Sequence, residues 1–193
     1  MITRAQVAKA AFWQLLFVLR GTSRERVRAA SEEGLMLLRG FTPGQMQELV
    51  AESLEPVLKP LVYDEPLALV ARHRERGEPS YIVSAALQEV VDVIAYDLGF
   101  AGALGTVCEV EDGVYTGRGI RSLHGEHKAT AVRELAAREE LDLASSTAYS
   151  DSHTDVPFLE AVGHPVAVNP DRELRRLAAE RGWPVLRFTR RAA

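Results

Sequence analysis

From Tyr63 onward the chain alternates short β-rich runs with helical segments, and this rhythm restricts its fold more than any other feature. Tyr81-Ile-Val83, Thr106–Val110, Ser146–Tyr149, Val166–Val168 and Pro184–Phe188 read as strands. Pro66–Arg76, Leu87–Leu98, His127–Leu141, Val156–Val162 and Arg172–Arg181 read as helices. Alternating units of this size predict an α/β fold with a doubly wound, Rossmann-like parallel sheet. One segment departs from the pattern: Glu111–Gly117 predicts a hairpin, with Asp112-Gly113 as its turn dipeptide.

The first sixty residues have a different texture. Thr3 can cap a helix running to Leu19, with Gly21 as its stop signal. Ser23 opens a second helix, Arg24–Leu38, which Gly40 closes. Thr42-Pro-Gly-Gln45 then pairs an N-cap with a proline at the first helical position. Gln45–Leu58 carries Met46, Leu49, Val50, Leu54, Val57 and Leu58 at helical spacing, and Pro56 is expected to kink or end that helix. The expectation is a helical bundle over residues 1–61 and an α/β core over 62–193.

A formal charge of −4, with arginines interspersed among glutamates, provides no basic field, so no nucleic-acid partner is expected. The longest apolar run, Ala10–Leu19, is too short for a bilayer, which takes about 20 residues. No membrane span is expected. Arg20-Gly-Thr-Ser-Arg24 after that run offers no small-x-small cleavage site, so a buried helix is expected there and not a secretion signal. Cys108 is the sole cysteine, which rules out an internal disulfide and fits a reducing, cytoplasmic setting. It lies in an apolar run and reads as a small core residue.

Three places fall at a strand end or a helix start. After Ser146–Tyr149 come Asp151 and Asp155, four residues apart, at the carboxyl edge where open α/β sheets bind ligands. Paired hard oxygens there suit Mg²⁺, which takes one or two carboxylates plus water and substrate phosphate. The plainer alternative makes Asp151 an N-cap, with Asp155 in a first helical turn favoured by the dipole. Ser84 follows the strand Tyr81–Val83, and its hydroxyl with the amides of Ala85 and Ala86 at a helix start could cradle a phosphate. Plain N-capping would serve it equally. Lys128 opens a helix, where a cation opposes the dipole and invites a functional reason, although surface lysines are common. Hydroxyl, lysine and paired aspartates in that order are what Mg²⁺-assisted phosphoryl transfer needs.

From Ile82 to Phe188 the chain resembles the haloacid-dehalogenase superfamily, in its phosphoserine-phosphatase-like branch with a helical cap. The matching segments are Ile82-Val-Ser-Ala-Ala86, Gly125-Glu-His-Lys128, Ser150-Asp-Ser-His-Thr-Asp-Val-Pro-Phe-Leu159 and Gly163-His-Pro-Val-Ala-Val-Asn-Pro-Asp171. Residues Met1–Leu61 occupy the position of the cap. The resemblance implies that Ser84, with the Ala85 amide, binds the transferring phosphate and that Lys128 steadies it as a catalytic residue. Asp151 would ligate Mg²⁺ and Asp155 would support the metal site through water or a hydrogen bond. Thr154 stands where phosphoserine phosphatases carry Asn, which argues against phosphoserine as the substrate, and Ala86 replaces a frequent second Ser. His153 matches no family role and reads as exposed loop. His124 and His127 lie close enough in sequence to tune Lys128.

The family's first motif, Asp-x-Asp, supplies the nucleophile and the general acid and base, and no Asp-x-Asp occurs in these 193 residues. Its strand is central in the family's sheet, so its loss would leave two inner edges unpaired. The expected function is a cytoplasmic, Mg²⁺-dependent phosphomonoester hydrolase acting on a small phosphorylated metabolite, in a truncated form that is inactive as it stands. The alternative is a non-catalytic pseudoenzyme that binds phosphate or depends on a partner.

Overall fold

The structure is a computed structural model that describes residues 35–190. The predicted helix ending at Leu19 and most of Arg24–Leu38 lie outside the described residues. The chain divides into two compact units. One comprises Val70–Ser122 with the described part of Met1–Val62, and the other comprises Tyr63–Leu69 with Leu123–Arg191. Helix α2 (Asp64–Glu75) belongs partly to each.

In the first unit, α1 (Pro43–Ser53) starts on a reciprocal cap. The Thr42 hydroxyl accepts the Gln45 N–H at 3.1 Å, and the Gln45 side chain accepts the Thr42 N–H at 3.0 Å. The expected break at Pro56 takes a specific form. Proline has no N–H for the i−4 carbonyl, and the chain loosens into a π-turn over Leu54–Leu58 before a 3₁₀ turn over Lys59–Leu61. Met46, Val50, Leu54 and Leu58 nevertheless stay on the buried face.

Strand β1 (Tyr81–Leu87) pairs in parallel with β2 (Gly102–Glu111), and β2 pairs antiparallel with β3 (Val114–Arg121). The hairpin between β2 and β3 is the predicted one, with Asp112 at φ 50° and Gly113 at φ 79°, as a two-residue primed turn requires. Helix α3 (Gln88–Leu98) covers the sheet through Val90, Val91 and Ala95, and Gly99 ends it at φ 75°. Leu38, Met46, Val50, Leu87, Val91, Cys108 and Tyr115 belong to one hydrophobic cluster. Cys108 is therefore the core residue that the sequence predicts.

In the second unit, β4 (Thr147–Ser150), β5 (His164–Val168) and β6 (Val185–Leu186) form a parallel sheet in that order. Helices α4 (Glu126–Arg138), α5 (Val156–Leu159) and α6 (Arg172–Arg181) complete the unit. Ala148, Leu159, Ala167, Leu174 and Ala178 form its core cluster. The turn into β5 demands glycine at position 163, because a Cβ there would lie 1.7 Å from the Ala144 carbonyl oxygen. Helix α5 stops at Leu159, shorter than the predicted Val156–Val162. Among the described residues β1 pairs only with β2 and β4 only with β5, so each sheet has one of these strands at its edge.

Candidate active site

The end of β4 gathers the charged residues. Ser150 is its last residue, and Ser152 then caps the 3₁₀ turn His153–Asp155 by accepting the Thr154 N–H at 3.3 Å. That turn carries Asp155 inward, where it is buried, while Asp151 stays exposed. The plainer reading of Asp151 as an N-cap fails on this geometry, because the cap is Ser152.

Lys128 sits in the first turn of α4, one turn below Gly125, whose φ of 53° combined with ψ of −122° suits glycine alone. Its ammonium donates to Asp155 Oδ2 at 2.7 Å, and the Ser150 hydroxyl donates to the same oxygen at 2.8 Å. All three residues are buried. The cation that looked misplaced at a helix start is thus held by a carboxylate contributed from the neighbouring loop. One N–H of the ammonium is spent on Asp155, and its remaining donors are available to an anion.

Asp151 keeps its carboxylate open to solvent, yet it lies deep enough among protein atoms for desolvation to raise its pKa above the ordinary aspartate value. The negative charges of Asp155 and Asp171 raise it further, against a lowering by its own backbone N–H and by Lys128. An accessible carboxylate pressed by two others is a site that a cation relieves. Among the described residues no group of three His, Cys, Asp or Glu is placed to share a metal. One or two carboxylates completed by water and phosphate are, however, what Mg²⁺ uses, so the residues present fit that ion. Asp151 is the carboxylate left open to such an ion. Asp155, which the sequence offers as a second one, gives Oδ2 to Lys128 and Ser150.

His124 is half-buried beside this cluster. Burial lowers its pKa, and the charge of Lys128 lowers it further. His153 is a correction to the sequence reading: instead of standing free in an exposed loop, its backbone N–H donates to Asp171 Oδ2 at 2.8 Å, and its ring Nδ1 lies 2.9 Å from the same oxygen. Ser150 and Asp171 are the residues whose parts the sequence reading missed. Asp171 was findable, since an Asp just after Asn169-Pro170 and just before a helical run is a capping signal.

Ser84 and Ala85 lie in the first unit, and there the local structure differs from expectation. The strand does not stop at Val83 but continues to Leu87, with a shift of register between Val83 and Leu87. Ser84–Ala86 is that bulge. The Ala86 N–H donates to Ser84 Oγ at 3.2 Å, and the Ala85 carbonyl accepts the Thr106 hydroxyl at 2.8 Å. Helix α3 begins only at Gln88, so the amides of Ala85 and Ala86 are not its N-terminus. Gln88 fills the gap in pairing: its Oε1 accepts the Gly105 N–H at 2.7 Å and its Nε2 donates to the Ala103 carbonyl at 3.0 Å. Because Ser84 Oγ accepts a bond, its own proton remains for an acceptor such as a phosphate oxygen.

The model of the family described as haloacid dehalogenase-like hydrolase matches residues 2–160. The chain belongs to that family. Its relatives include a probable phosphatase of Mycobacterium tuberculosis strain H37Rv, 42% identical over 190 residues, which are 98% of this chain and 66% of the relative. A phosphoserine phosphatase of the same strain is 42% identical over 170 residues, 86% of this chain and 55% of that protein. Among solved structures, a protein of unknown function from Bordetella pertussis Tohama I is similar to this chain. Its TM-score is 0.75 at 33% identity, covering 86% of this chain and 74% of that one. The chain therefore spans less than two thirds of the length of the two curated relatives.

Proposed function

We propose that this chain carries the phosphate- and metal-binding part of a Mg²⁺-dependent phosphomonoester hydrolase acting on a small phosphorylated metabolite. The observation that carries this reading is the buried Lys128–Asp155–Ser150 cluster beside an accessible Asp151 at the carboxyl end of β4. Asp151 would hold Mg²⁺, with Asp155 supporting it. Bound there, Mg²⁺ supplies charge neutralisation for phosphoryl oxygens. Lys128 adds fixed positive charge, and the Ser84 hydroxyl and the Ala85 amide add hydrogen-bond donors. On this reading residues 1–61 supply the cap that selects the substrate, in a cytoplasmic protein. The names of the relatives support phosphatase chemistry. Thr154, in place of the usual Asn, points to a substrate other than phosphoserine.

A second reading has its own observation. None of these 193 residues forms an Asp-x-Asp, so the nucleophile of aspartyl-phosphate chemistry has no candidate among them. On that reading the chain binds phosphate without turnover, alone or with a partner. Phosphate release from a panel of small phosphomonoesters, with Mg²⁺ and with chelator, separates the two when paired with ³¹P-detected binding of inorganic phosphate. Mg²⁺-dependent release that Asp151→Asn abolishes supports the hydrolase. Binding without release selects the second reading, and neither binding nor release removes both.

A further inference from the structure

The loop that carries Asp151 is held at two points, Asp151 and His153, and both grips come from one residue outside the loop. The Asp171 N–H donates to the Asp151 carbonyl at 2.8 Å. The Asp171 carboxylate then reaches across to the residue two further along the loop. Its Oδ2 takes the His153 N–H at 2.8 Å and faces His153 Nδ1 at 2.9 Å. Its Oδ1 caps α6 by accepting the Leu174 N–H at 2.7 Å. A single aspartate thus ties the start of α6 to the loop on either side of Ser152.

We infer that Asp171 is a positioning residue for Asp151, with His153 as its grip on the loop, and that this pair fixes the metal-binding carboxylate. The inference rests on the Mg²⁺ reading of Asp151. Asp151 is exposed and its loop includes only a single 3₁₀ turn, so its direction is set by what anchors the loop backbone. A helix cap alone would need one carboxylate oxygen. Here the second oxygen is committed entirely to the loop. The Asp171 segment is itself anchored: Asn169 exchanges hydrogen bonds with Phe188 at 2.9 and 3.1 Å, beyond the end of β6. The loop is therefore referred to the rigid sheet and helix, as a site that must hold a ligand in place requires.

The test is a Mg²⁺ titration of the ¹⁵N-labelled chain, followed through the amide resonances of residues 151–154. Asp171→Ser keeps one oxygen for the Leu174 N–H but is too short to reach His153 as well. It should leave the resonances of α6 in place and weaken Mg²⁺ binding by about tenfold, at the lower end of what outer-sphere partners of metal ligands contribute. His153→Ala, which removes only the ring contact, should weaken it by less. Mg²⁺ affinity in Asp171→Ser equal to that of the native chain would overturn the inference and leave Asp171 a plain cap. Should Asp171→Ser not fold, unchanged affinity in His153→Ala overturns it instead. A native chain whose loop resonances do not respond to Mg²⁺ overturns the metal reading of Asp151, and the inference falls with it.

Discussion

Each unit contains a cluster of buried polar groups, and the two clusters treat them oppositely, although the second unit also leaves Glu65 Oε2 buried without a hydrogen bond among the described residues. In the second, Lys128, Asp155 and Ser150 satisfy one another at 2.7 and 2.8 Å. In the first, the Tyr115 hydroxyl and the Glu89 Oε2 oxygen are buried with no hydrogen-bond partner among the described residues. Burial, and then the nearby Glu89 charge, push the phenol and the Cys108 thiol upward in pKa, but Glu89 meets the Tyr115 hydroxyl with no acceptable hydrogen-bond geometry. Proximity without alignment stabilises little. An unmade buried bond has a cost, whereas a made one returns a modest gain. The first cluster is therefore a place where the chain can be improved, and the second is one where it can only be damaged.

The largest effect concerns reactivity in the first cluster. Burial, and then the charge of Glu89, raise the Cys108 thiol from 9.0 to about 12. Three pH units remove about a thousandfold of the reactive thiolate at neutral pH. Labelling by a chromogenic disulfide should be slower in the native chain than in urea by at least that factor. Rapid labelling of the native chain would break the contrast by showing that the first core opens easily.

Next comes the second cluster. Lys128→Met leaves Asp155 buried with its charge uncompensated, and the loss should be about 3 kcal/mol. The double variant Lys128→Met, Asp155→Leu should recover most of that loss, since apolar replacement of a whole buried pair is often neutral. Urea unfolding of the three chains measures it. A single variant as stable as the native chain would mean that water reaches the pair.

Tyr115→Phe makes the opposite prediction. Removing a hydroxyl that has no partner should stabilise the chain by about 1 kcal/mol, the lower end of the cost of an unsatisfied buried group. A loss of stability of that size would show that the hydroxyl is bonded after all, and the difference between the clusters would disappear.

The legibility of the sequence is uneven within both units. The β–α rhythm, the Asp112-Gly113 hairpin, the capped start of α1 and the whole of α6 were readable because local propensity and tertiary packing agree there. The grouping of Lys128 with Asp151 and Asp155 was readable through their residue types and order. The bulge at Ser84–Ala86 was not, since three small residues after a strand fit either a helix start or a continued strand. What decides it is the side chain of Gln88 closing the ladder to Gly105 and Ala103, a contact across 15 and 17 residues. His153 was misread for a similar reason. Its partner lies 18 residues away, and nothing in the local sequence distinguishes a tethered loop histidine from a free one.

The smallest effect sharpens the contrast from the side of the satisfied cluster. His124 has its pKa lowered below the usual 6.5, first by burial and then by Lys128 and His127, with Asp155 pulling the other way. A histidine whose folded pKa is depressed takes up protons more readily when unfolded, so stability rises with pH across the gap. Its contribution is complete above the unfolded pKa and is lost as pH falls through the folded one. Urea midpoints of the native chain and His124→Gln should therefore differ by a constant amount above about pH 7, and the native chain should lose ground below about pH 6.5. In the Lys128→Met background burial still acts but the repelling charge is gone, so the folded pKa moves back toward the unfolded one and the loss, which still begins at the unfolded pKa, should level off at a higher pH and shrink overall. If the pH dependence is unchanged by Lys128→Met, the ammonium is not felt at His124, and the cluster ends at Asp155.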